Sequence, residues 1–461
     1  MSASESPTAP NDRTKGTYAL VSLGCPKNLV DSERMAGRLR LDGYRMVAEP
    51  EGADFVVINT CGFIGDARKE SCDTIREMIR LKRRGLLHGI IVAGCLVERN
   101  REALLQEYPE VDQLVGVFAR DEITVAAERM LGGLAEQRTL FRPAPSRPLP
   151  EGDRLRITPR HLAFLKVSEG CNRLCAFCAI PKMRGPYASK PIEQVLAEAQ
   201  ELADDGAREL VVIAQDTSFY GVDLYGRPRL AELLTGLNGI NGVAWIRPMY
   251  LYPMHFTDEL IEAVSGCDKV LPYLDLPLQH INDEVLRRMR RRVGRAETLE
   301  LLDRLRQRID NLVLRTTLMV GFPGETDAQF EELLDFVVRQ RFERLGAFAY
   351  SNEPGTPAAD LDGQVSDRTK QARRERILAA QQRIAFDWNE ARVGQRIEVL
   401  IDRCIPGEDN AFVGRSRADA PEVDGVVYVT GEDLAPGQFV ECEIVAARGY
   451  DLIGVAVGQP G

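Results

Sequence analysis

HLAFLKVSEGCNRLCAFCAIP, residues 161–181, joins an apolar run of strand texture to three cysteines spaced CxxxCxxC, with the aromatic Phe177 just before the last of them. A strand that runs straight into a loop of thiols suits a βα barrel, whose chemistry lies at the C-terminal ends of its strands. Outward from this stretch the pattern repeats. ARELVVIAQ, GVAWIRP, VLPYLDLPL, NLVLRTTLMVGF and RLGAFAYS read as further strands separated by helix-like segments. Residues 157–390 are therefore expected to form a partial or complete barrel of six βα units, closed by the helix within DRTKQARRERILAAQQRIAFDWNEARV.

The flanks differ in texture. Over residues 17–131 the buried-strand runs YALVSLG, DFVVINT and GIIVAG alternate with helical segments, which predicts an α/β domain with a flavodoxin-like parallel sheet. Residues 132–156 carry Pro143, Pro145, Pro148 and Pro150 and read as a linker that resists regular structure. From 391 to 461, short alternating runs (RIEVLI, NAFVGRS, GVVYVTG, GQFVECEIVAAR, LIGVAV) predict a small β-barrel. Residues 1–16 are polar, bear Pro and Ser, and read as a disordered tail.

With 44% hydrophobic and 28% charged residues in 461, the composition is that of a globular chain of several domains. No apolar run approaches the roughly 18 residues that cross a bilayer, so the expectation is a cytoplasmic protein without a membrane partner. Ten cysteines are too dilute for a disulfide scaffold, which points clustered thiols toward metals or catalysis. A net charge of -10 gives no global attraction to nucleic acid.

Cys171, Cys175 and Cys178 follow no single helix face, so they are poorly explained as core filler. A closed zinc site needs four ligands, and the segment offers no fourth Cys or His. Three thiolates fit a 4Fe-4S cluster with one open iron better. Cys25, Cys61 and Cys95 each end a predicted parallel strand, where ligands of open α/β sheets gather, and this favours a second cluster. Cys72, Cys267, Cys404 and Cys442 have no such placement.

EGCNRLCAFCAIP resembles the signature of the radical S-adenosylmethionine enzymes, in which the open iron binds S-adenosylmethionine and a 5'-deoxyadenosyl radical is formed. Phe177 fits that pattern, and so does Gln215, which with Asp216 ends the second barrel strand. LMVGFPGET, with Gly321 and Pro323, resembles the family's adenine-supporting segment, although alone it would read as a strand and a Gly/Pro turn. LGCPKNLVDSERM, NTCGFI and AGCL resemble the N-terminal domain of the methylthiotransferases, and the terminal barrel resembles their TRAM domain. The resemblance implies two 4Fe-4S clusters, one on Cys171, Cys175 and Cys178 and an auxiliary one on Cys25, Cys61 and Cys95. It also implies S-adenosylmethionine as cofactor, an electron donor and a sulfur source.

Two branches of that family differ in substrate. SLGCPKNLVDSE, MYLYPMHFTDELIEA, YLDLPLQHI and FAYSNEPGTPAADL resemble the branch that inserts a methylthio group at the β-carbon of an aspartate in ribosomal protein S-twelve, free or on the small subunit. The alternative branch acts on a tRNA adenosine. Charge offers a separate check: from Gly394 onward five Arg and no Lys face twelve Asp and Glu, which suits a basic partner better than phosphate. Against this stands LRRMRRRVGR, residues 286–295, with six arginines, expected to form local ion pairs or a solvated face. His255, His280, Gln279 and Asp216 are expected to be hydrogen-bonded structural residues.

Overall fold

The computed structural model describes residues 14–134 and 136–458, so most of the expected N-terminal tail lies outside the described residues. The chain divides into two compact units, one running to Pro143 and including Asp153–Leu155, the other comprising Ala144–Gly152 and everything from Arg156.

The first unit is a parallel sheet with strands β1 (Gly16–Ser22), β2 (Tyr44–Met46), β3 (Phe55–Thr60), β4 (Gly89–Gly94), β5 (Gln113–Val115) and β6 (Thr139–Leu140). Its order is β2-β1-β3-β4-β5-β6, the flavodoxin-like winding with one strand added. Every residue of β3 and β4 is buried, as central strands covered on both faces require. Three strands were not legible beforehand. β2, β5 and β6 have only two or three residues each, too few for periodicity to register. β6 lies inside the expected linker, where it pairs with β5 through Leu114 and Val115. The linker is corrected at its other end too: Glu151 is buried in the second unit and pairs with Lys166 Nζ at 2.8 Å.

The second unit contains the barrel strands β7 (Leu162–Lys166), β10 (Glu209–Ile213), β11 (Trp245–Pro248), β12 (Tyr273–Gln279), β13 (Val313–Val320) and β14 (Arg344–Ala349). A short antiparallel pair, β8 (Ser168–Glu169) and β9 (Ala188–Ser189), follows β7. The barrel is partial: two three-stranded parallel sheets, β7-β10-β11 and β12-β13-β14, meet at an Ile246–Val270 bridge and a Leu251 N–H to Asp275 carbonyl bond of 2.9 Å. Leu, Val and Ile from these strands and the surrounding helices form one large core. The helix Asp367–Glu390 packs along β14.

Strands β15 (Arg396–Cys404), β16 (Ala411–Ser416), β17 (Val427–Thr430), β18 (Phe439–Arg448) and β19 (Asp451–Ala456) close into the expected small barrel. It sits at the N-terminal ends of the large barrel's strands and meets the first residue of four of them. Arg415 reaches Glu209 of β10 at 2.6 Å, Trp245 of β11 donates to Glu398, Tyr273 of β12 donates to Asp424 at 2.6 Å, and Arg344 of β14 reaches Asp419 at 2.6 Å. This amends the charge argument, because Glu398, Asp402, Asp419 and Asp424 of the acidic small barrel have partners within the chain.

Candidate active site

Lys166 at the end of β7 begins a buried ion-pair group that sets the cysteine loop. Its Nζ lies 3.0 Å from Glu169, which also pairs with Arg184 at 3.1 Å. Next comes Gly170, at φ +70°, where a Cβ would stand 2.1 Å from the Pro186 carbonyl oxygen; only glycine fits. Cys171 donates its N–H to the Gly185 carbonyl at 3.1 Å, and Ala176 donates to the Met289 carbonyl at 2.9 Å, so the loop is tied down between its cysteines. The sulfurs of Cys171 and Cys178 each accept a backbone N–H, from Arg173 and Ile180 at 3.4 Å. Such donors stabilise thiolates and tune iron–sulfur clusters. Burial, with repulsion from neighbouring thiols and from Asp216, pushes the Cys171 thiol up to about 11, and burial pushes Cys178 to about 12. The Cys171 and Cys178 thiols therefore ionise there only beside a cation, which a cluster core would supply. Among the described residues, no group of three or more His, Cys, Asp or Glu is placed to hold a single metal ion.

Phe177 meets Phe322 of the GFPGET segment edge-on, with centroids 6.5 Å apart, and Phe322 meets Tyr350 in the same way. The first and fifth barrel strands thus deliver their loops to one aromatic cluster. Gly321, at φ +71°, lies against Lys370, and Pro323 offers its carbonyl to Arg288 at 3.0 Å. Glu325, not singled out in the sequence, accepts the N–H groups of Gly321 and Phe322 and pairs with Arg373 at 2.9 Å. Gln215 is half-buried two residues beyond the end of β10. Its neighbour Asp216 anchors Arg173, 2.6 Å away, and accepts from Ser218 at 2.7 Å. His280 accepts the Asn282 N–H on Nδ1 and turns Nε2 toward Glu325 at 3.7 Å. Tyr250, His255, Gln279 and Arg290 all have φ between +57° and +71°, which gathers strained backbone at this end of the barrel.

In the first unit, three glycines do for the other cysteines what Gly170 does here. Gly24, beside Cys25, has φ +89°, and a Cβ there would be 2.8 Å from that of Cys61. Gly62, beside Cys61, would touch the Cys95 carbonyl at 2.7 Å, and Gly94, beside Cys95, would touch Asn59 at 2.2 Å. The loops after β1, β3 and β4 are therefore in contact around the three cysteines. Asn28 ties the first two by donating to the Leu23 carbonyl at 2.7 Å and the Thr60 carbonyl at 3.3 Å, and Ser71 both donates to and accepts from the Cys61 backbone at 3.0 Å. Cys25 precedes the helix Pro26–Leu41 and Cys95 opens the helix Cys95–Asn100, so helix N-termini face this point. Of the other cysteines, Cys442 is in the small-barrel core, Cys72 and Cys267 pack against cores, and Cys404 is exposed.

Residues 165–337 match the Radical SAM superfamily, residues 17–116 an uncharacterized protein family, UPF0004, and residues 393–457 the TRAM domain. The ribosomal protein uS12 methylthiotransferase RimO of Lachnoclostridium phytofermentans is 45% identical, covering 95% of this chain and 99% of its own. Its namesake in Clostridioides difficile is 44% identical, over 95% and 98%. The chain belongs to the uS12 methylthiotransferase family. Among solved structures, the radical S-adenosylmethionine methyltransferase TsrM from Kitasatospora setae shares the fold, with a TM-score of 0.55 at 14% identity over 89% of this chain and 80% of that one. The relatives named here carry the branch expected from the sequence rather than the tRNA-modifying one. Membership of the radical S-adenosylmethionine superfamily brings a 4Fe-4S cluster and S-adenosylmethionine with it.

The arginine run is the expected set of local pairs only in part. Arg288 binds the Pro323 carbonyl, Arg291 donates to the Pro277 carbonyl at 2.7 Å and stacks on Tyr252, and Arg295 pairs with Glu332. Arg290 and Arg292 instead line a cavity of about 130 Å³ beside Cys175.

Proposed function

We propose that this chain inserts a methylthio group at the β-carbon of one aspartate of ribosomal protein uS12. The likeness to uS12 methylthiotransferases supports the substrate, and the observation that carries sulfur insertion is the second cysteine triad: Cys25, Cys61 and Cys95 follow neighbouring parallel strands, with glycines packed between them, in a chain that already has CxxxCxxC on its barrel. A radical enzyme that only cleaved S-adenosylmethionine would need one triad. Cys171, Cys175 and Cys178 would hold a cluster supplying one electron to S-adenosylmethionine, and Cys25, Cys61 and Cys95 one supplying sulfur. Replacing an aspartate β-hydrogen by a methylthio group oxidises that carbon, which a side-chain base alone cannot do, and so the chemistry falls to such groups.

The chain's own residues bind, orient and shield. Glu325 holds the backbone of Gly321 and Phe322 in place, so the turn can support an adenine without rearranging. Phe177 and Phe322 exclude water from the side of the cysteine loop on which they pack. An electron donor and a sulfur source are further partners. No helix among the described residues is long and apolar enough to cross a membrane, and a modifier of a ribosomal protein would work in the cytoplasm.

The test is anaerobic incubation of the reconstituted protein with S-adenosylmethionine, reductant and sulfide, offering uS12 and unmodified tRNA in parallel. A gain of about 46 Da on one uS12 aspartate, replacing H by SCH3, is expected. The same gain on a tRNA adenosine instead would reject the substrate.

A further inference from the structure

The cavity beside Cys175 is lined by aromatic and cationic side chains together with Asn172, Leu174 and the Asp216 carboxylate. Phe219 and Tyr252 are aromatic, while Arg173, Arg290 and Arg292 are cationic. Arg173 is already neutralised by Asp216 at 2.6 Å and lies over the Tyr252 ring, 4.1 Å from its centroid. Among the described residues, Arg290 and Arg292 have no acidic partner, unlike their neighbour Arg295, which Glu332 satisfies. Arg290 also keeps a left-handed backbone, φ +57°, without being glycine, and the Arg292 N–H is held by the Tyr252 hydroxyl at 3.1 Å. Both residues are exposed, so two guanidinium groups without carboxylate partners stand at the rim of a cleft that touches the cysteine loop.

We propose that Arg290 and Arg292 bind the side-chain carboxylate of the target aspartate, an assignment that rests on the function proposed above. At about 130 Å³ the cavity is well below the ~300 Å³ at which pockets for cofactor-sized molecules begin, so it suits a single side chain. An aspartate brought into a barrel mouth loses its hydration, and an anion there needs a cationic partner. Guanidinium groups match a carboxylate with paired N–H donors. Holding the carboxylate leaves the adjacent β-carbon one bond away with little freedom, the condition for selective attack at that carbon. Arg290 and Arg292 are accordingly specificity residues.

The test uses reconstituted holoenzyme with S-adenosylmethionine and uS12 carrying either the target aspartate or asparagine in its place, reading affinity by anisotropy and product by mass spectrometry. Wild-type enzyme should bind the aspartate form about tenfold more tightly, as loss of a charged hydrogen bond implies. R290Q/R292Q should lose most of that preference, and R290K/R292K should recover part of it, which a folding defect would not allow. An undiminished preference in R290Q/R292Q overturns the assignment, as does the absence of any preference in the wild type. So does a fall in S-adenosylmethionine affinity with the preference intact, which would give the arginines to the cofactor's carboxylate. If wild-type enzyme leaves uS12 unmodified, the proposed function itself fails, a result distinct from these.

Discussion

The Glu325 carboxylate accepts the backbone N–H of Gly321 at 2.8 Å, and the same oxygen faces Nε2 of His280 at 3.7 Å. Burial raises the Glu325 carboxyl from 4.5 to about 7, so between those values the folded protein keeps a proton that the unfolded chain has lost, and stability falls as pH rises. Burial, with Arg373 nearby, lowers His280 from 6.5 to about 3, so its contribution rises with pH across that span. The two oppose each other between pH 4.5 and 6.5. E325Q removes the first, and the Tm of the variant relative to wild type should climb with pH over that interval. Parallel Tm profiles would refute the pairing.

Gly24→Ala places a methyl group against Cys61 at a backbone angle that L-residues avoid. The expected protein has about four iron atoms per chain instead of about eight. It should still cleave S-adenosylmethionine and fail to make the methylthio product. Iron analysis alongside deoxyadenosine and product yields checks this, and a full complement of iron would count against the second triad.

Arg415→Met leaves Glu209, which is fully buried, facing only Arg247. Removing one partner of a buried ion pair typically costs about 3–5 kcal/mol. Denaturant unfolding should show a loss of that order, and a larger one in the E209Q/R415M double variant, which leaves fully buried Arg247 without a carboxylate. An equal loss in both would mean that packing, not charge, is at stake.

Phe177→Ala removes the edge-on contact with Phe322, worth about 0.5–1.5 kcal/mol beyond burial, and loosens the turn that follows β13. The KM for S-adenosylmethionine should rise with kcat little changed. A fall in kcat alone would place Phe177 elsewhere in the reaction.

What could be read from the sequence was whatever repeats or clusters locally. The small-barrel strands are short apolar runs in series, three of them alternating, and CxxxCxxC lies within eight residues, so both were visible. Cys25, Cys61 and Cys95 are far apart, yet each follows an apolar run, and that shared position is the signal for loops that the structure brings into contact at Gly24 and Gly62. Glu325 was hidden because its partners, Gly321, Arg373 and His280, are joined through a turn and a distant helix that no spacing reveals. Its position in GFPGET was the only available signal. Arg290 and Arg292 were lost in a run of six arginines, since only geometry separates those with partners from those without. The two-residue strand β6 and buried Glu151 vanished among prolines for the same reason: tertiary contact, not local pattern, recruits them.

The charged contacts between the two barrels also restrict how such proteins can be recombined. His161, Glu209, Trp245, Tyr273 and Arg344 are all matched to side chains of the small barrel. A chimera that took its TRAM domain from a distant homologue would strand several of these groups without water or counter-ion. Exchanging that domain to redirect the enzyme would therefore demand the transplant of both halves of each pair, so the two modules must be inherited together.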